Sequence, residues 1–122
     1  MNIVFDSSVT NELRSRYTVL QLDTFYFPHA GKNCTAFCIL DNIPISEMTS
    51  MDKTIELHNN LLKNYKIQNW KFCEDALEHL QGKWNNELDT FYQDMKSRIA
   101  EHKVSNLDSE WTGIITKTNI NA

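Results

Sequence analysis

At 122 residues the chain is of single-domain size, and its net charge of −4 is too small for a disordered segment or a massed-carboxylate mimic of DNA. The 12 Lys and Arg residues are scattered instead of forming a basic stripe, which argues against nucleic acid as a partner. With 41% hydrophobic and 11% aromatic residues it can build a real core, since a chain this long buries roughly 65% of the surface it exposes unfolded. No apolar run approaches the ~20 residues of a membrane span, and Met1-Asn2-Ile3-Val4-Phe5 lacks the charged start of a secretory signal. Three cysteines, an odd number, are therefore expected to be free thiols in a reducing cytoplasm.

Asn2 to Phe5 offers a short strand, and Ser7 to Ser15 a turn or short helix. Arg16 to Phe27 (RYTVLQLDTFYF) is rich in β-branched and aromatic residues and holds neither Gly nor Pro, the strongest strand signal in the chain. Its apolar residues fall on both parities: Leu20, Leu22 and Tyr26 on one face, Tyr17, Val19, Phe25 and Phe27 on the other. Such a strand is covered on both sides, or it twists or bulges partway. The breaker cluster Pro28 to Asn33 and a second run, Cys34 to Leu40, complete an antiparallel hairpin.

Beyond Asp41-Asn42-Ile43-Pro44 the period lengthens to that of a helix. Met48, Met51, Ile55, His58, Leu62 and Tyr65 form one stripe, with Ser46 or Thr49 as its cap. Trp70, Cys73, Leu77, Leu80 and Trp84 form a second, closed by Gly82. Leu88, Phe91 or Tyr92, Met95, Ile99 and His102 form a third, entered through Asn86 with Asp89 three residues on. Leu22 to Tyr26 recurs as Leu88 to Tyr92 (LDTFY), but the flanks do not match, so one string is expected in a strand once and in a helix once. Residues 1–103 are thus expected to form one α+β domain, an antiparallel hairpin or three-stranded sheet packed against three amphipathic helices. Residues 104–122 form a polar tail in which Thr112 to Thr118 has strand character, suiting an edge strand or a docking segment.

Signatures of catalysis are weak. Cys34 and Cys38, four apart on a strand, share a face but lie ~13 Å apart, too far to chelate one zinc. Gly31-Lys32 lacks the earlier glycine and the Ser or Thr of a phosphate loop, and no G-x-S-x-G surrounds Ser7-Ser8. His58, on an apolar stripe, reads as a hydrogen-bonded core or partner-facing residue rather than a ligand. Asp75 precedes His79 by one helical turn and would orient its imidazole as a general base, although an ordinary exposed helix surface produces the same pair. No metal or cofactor is expected.

Trp111, beside Ile114 and Ile115 in the polar tail, suits an anchor, either within the molecule or at a subunit or partner contact. The expectation from these patterns is a non-catalytic interaction protein that binds a protein partner or assembles with itself. A short, acidic, Asn-rich chain of this kind also suits a bacteriophage accessory protein. The alternative is a small enzyme acting on a nucleotide or other metabolite, with His79, Asp75 and His29 in a site formed at a subunit interface. A third reading, single-stranded nucleic acid stacked on Tyr17, Phe25 and Phe27, requires those rings to be exposed.

Overall fold

A computed structural model describes residues 2–40, 50–105, 107 and 111–116. Its elements are β1 (Asn2–Phe5), a 3-10 turn (Asp6–Ser8), α1 (Asn11–Arg16), β2 (Thr18–Phe27), β3 (Lys32–Leu40), α2 (Met51–Lys66), α3 (Trp70–Leu80), α4 (Asp89–Val104) and β4 (Ile115–Thr116). The class is α+β, with the sheet N-terminal and three longer helices after it. The chain divides into two compact units, Met1–Asp41 with Gly113–Ala122, and Asn42–Thr112. The proposed helix caps Ser46 and Thr49, with Met48, lie outside the described residues; α2 opens behind Ser50.

The first unit is a four-stranded sheet ordered β1-β3-β2-β4, antiparallel but for the parallel β2–β4 pair. The strand expected from Arg16 starts at Thr18, because Asn11–Arg16 is a helix whose cap, Thr10, accepts from the Leu13 backbone N–H through its side chain at 3.1 Å. Pro28 to Gly31 makes the hairpin turn, closed by the Gly31 N–H donating to the Phe27 carbonyl at 2.9 Å, with Gly31 at φ +64°.

The mixed parity of β2 resolves as a bulge. Gln21 faces Phe37 and Thr24 faces Thr35, so Leu22 and Asp23 together stand opposite Ala36. Cross-strand partners share a face. Before the bulge Leu20 lies beside Cys38; after it Phe25 lies beside Cys34 and Phe27 beside Lys32. One inserted residue thus brings Leu20, Leu22, Phe25 and Phe27 to a single face, joined by Ile3 and Phe5 of β1 through their partners Cys38 and Ala36. Leu20, Leu22, Ala36, Cys38 and Leu40 on it are buried. The opposite face carries Val19, Phe37, Ile39 and the Thr24–Thr35 hydroxyl pair at 3.0 Å, with the Arg14 guanidinium of α1 5.6 Å from the centre of the Phe37 ring.

The second unit holds α2, α3 and α4, and of the expected stripes His58, Leu62 and Tyr65, then Cys73, Leu77 and Leu80, then Phe91, Tyr92, Met95 and Ile99 are buried, joined by Leu61 and Ala76, while Met51, Ile55, Trp70 and His102 are half-buried. Two boundaries differ from expectation. Gly82, at φ +80°, ends α3 before Trp84, which is buried from the following turn instead of from the helix. Asn86 does not cap α4: it sits at φ +64°, and Asp89 turns back to accept from the Gly82 N–H at 2.7 Å. The carboxylate therefore satisfies the end of α3 while lying at the positive end of α4.

A Cβ at Gly31 would meet nothing within 4 Å, so only its backbone conformation is at stake. Gly31→Asn, which tolerates the left-handed region, should leave urea stability within about 0.5 kcal/mol, whereas Gly31→Val should cost about 1–2 kcal/mol. Equal losses for both would mean that the turn does not hold this φ.

Candidate functional site

Of the residues expected to carry chemistry, Asp75 and His79 stand one turn apart on α3. Positions 74, 77, 78 and 81 of α3 and its cap share one face, and with Tyr92 and Lys96 of α4 they line a shallow cleft of about 220 Å³. That is small beside the roughly 300–1,000 Å³ of ligand pockets. Glu74 is held there by Lys103, whose Nζ donates to both carboxylate oxygens at 3.1 and 3.3 Å. Asp75 and His79 lie one residue on from Glu74 and Glu78, about 100° around the axis. His79 is exposed, and Asp75 forms a solvent-facing pair with Lys71 at 3.6 Å. His29 is exposed in the hairpin turn. Of the rings in the stacking reading, Tyr17 is exposed while Phe25 and Phe27 are half-buried, Phe27 against Phe5 with ring centres 6.2 Å apart.

Inside the helical unit, His58 of α2, Tyr92 of α4 and Trp84 of the α3–α4 turn meet at one hydroxyl. The Trp84 Nε1–H donates to the Tyr92 oxygen at 3.0 Å, and His58 Nδ1 lies 2.9 Å from the same oxygen. A phenol has one proton to give. With Tyr92 donating to Nδ1, its oxygen remains free to accept from Trp84. All three residues are buried, so this is a structural network, in keeping with the position of His58 on an apolar stripe.

A second cluster forms around Trp111. Its ring lies 5.2 Å from Tyr65, 5.7 Å from Trp70 and 5.0 Å from His102. The remaining pairs of these four rings are also close: Tyr65–Trp70 at 5.6 Å, Tyr65–His102 at 5.9 Å, and Trp70 stacked on His102 at 5.5 Å. The Tyr65 hydroxyl is 3.1 Å from His102 Nε2, and the Arg98 guanidinium lies 5.6 Å from the centre of the Tyr65 ring. Burial, and then Arg98, press the His102 pKa below its ordinary value, with Glu101 opposing them. Trp111 is thus an anchor within the helical unit. Ile114 is half-buried, and Ile115 pairs with Phe25 in β4. Reading the sequence assigned His102 and Tyr65 only to stripes; the rings they meet lie up to 46 positions away, and no local pattern reports that.

The third arrangement is an edge. β1 borders the sheet, it is uncharged, and Ile3 and Phe5 are 53% and 41% exposed on the same face. Strand edges of soluble proteins are commonly blunted by charge, proline or a bulge, none of which Asn2–Phe5 contains. Set against protein-family models, curated proteins and solved structures, the chain matches none.

Two measurements check this description. Tyr92→Phe removes the acceptor of the buried Trp84 indole and should cost about 1–3 kcal/mol in urea unfolding; a loss below about 0.5 kcal/mol would show that the hydroxyl is not the hub. None of the three cysteines is in a disulfide; Cys34 is half-buried and Cys38 and Cys73 are fully buried. Burial, helped by Glu74, raises the Cys73 pKa from 9.0 to about 11. The unfolded chain gives up this proton first, so the Cys73 contribution to stability should fall as pH rises through that window. Thiol labelling of the native protein at pH 8 should modify Cys34 and leave Cys73 until unfolding; rapid native labelling of Cys73 would contradict its placement.

Proposed function

We propose that the protein is a non-catalytic interaction protein, acting through contacts with a protein partner or with further copies of itself. The observation that carries this reading is the β1 edge, where Ile3 and Phe5 stay exposed on a short strand that carries neither charge nor proline. An added strand there would supply main-chain hydrogen bonds, with the two side chains giving apolar contact on one face. The three cysteines, none in a disulfide, support a reducing, cytoplasmic setting, and the composition suits a bacteriophage accessory role. The enzyme alternative places His79, Asp75 and His29 in a site formed at a subunit interface; His79, Asp75 and His29 are all exposed here.

Removing residues 104–122 would take Trp111 from the helical unit and β4 from the sheet, so a point substitution is the cleaner test. Ile3→Lys adds a charge at a half-exposed position and should leave the fold intact. Light scattering should show an oligomer for the unmodified chain and a monomer for Ile3→Lys, or immobilised protein should retain a defined partner that Ile3→Lys loses by tenfold or more, about 1.4 kcal/mol. A monomer with no partner, or full binding by Ile3→Lys, would sink the reading.

A further inference from the structure

We draw no further inference here: the strongest candidate, the apolar patch that Ile3 and Phe5 form on the outer strand of the sheet, belongs to the edge already described, and nothing in the structure shows what covers it.

Discussion

The sheet depends on a single inserted residue in β2. Strict alternation over Thr18–Phe27 would send Leu20 and Leu22 to one face and Phe25 and Phe27 to the other, where Val19 and Gln21 already lie. With Leu22 and Asp23 both opposite Ala36, the parity reverses once and all four large apolar side chains share a face with Cys38, Ala36 and Cys34. At roughly 1.5–3 kcal/mol for each large side chain fully buried, the burial gathered on one face exceeds the one ladder position that a bulge disrupts. Everything else in this unit takes its register from that point. β1 adds Ile3 and Phe5 to the same face, Phe27 meets Phe5 edge to face, and β4 sets Ile115 beside Phe25.

The helical unit is organised around polar atoms as well as apolar stripes. Its turn from Gln81 to Leu88 takes three residues through positive φ, Gly82, Asn85 and Asn86, conformations that Gly adopts without cost and Asn with little. In return Trp84 reaches the Tyr92 hydroxyl, and Asp89 reaches back to the Gly82 N–H. Burying an indole N–H, a phenol and an imidazole is costly unless each is bonded. One hydroxyl meets both the indole N–H and the imidazole Nδ1. Such a hub also defines register, because sliding any of its three elements would leave a donor or acceptor stranded in the core.

Two aromatic surfaces then play different parts. The Tyr65–Trp70–His102–Trp111 cluster is an interior contact made by the C-terminal segment, whereas the Ile3–Phe5 edge faces solvent. Asp75 and His79, the carboxylate and imidazole that suggested chemistry, stand one turn apart on the exposed side of α3, where Asp75 pairs with Lys71, while Glu74 and Glu78 line the cleft.

Much of this was legible in local patterns. β-branched and aromatic runs either side of a Gly-containing turn marked the hairpin, and spacings of three and four marked the helices and their buried faces. Each depends on interactions among neighbours in sequence, so the sequence by itself determined the α+β class, the order of elements and most of the core. The ambiguous parity of Arg16–Phe27 already contained the bulge as one alternative; choosing it required β3, because register is a property of two strands. Asn86 and Gly82 both read as helix ends, yet only Gly82 acts as one, since a contact seven residues long draws Asp89 back to it. The ring cluster, the Tyr92 hub and the exposure of the β1 edge belonged to the tertiary structure alone. They join residues between 5 and 46 positions apart, or turn on which strand lies outermost, and no periodicity along the chain encodes either.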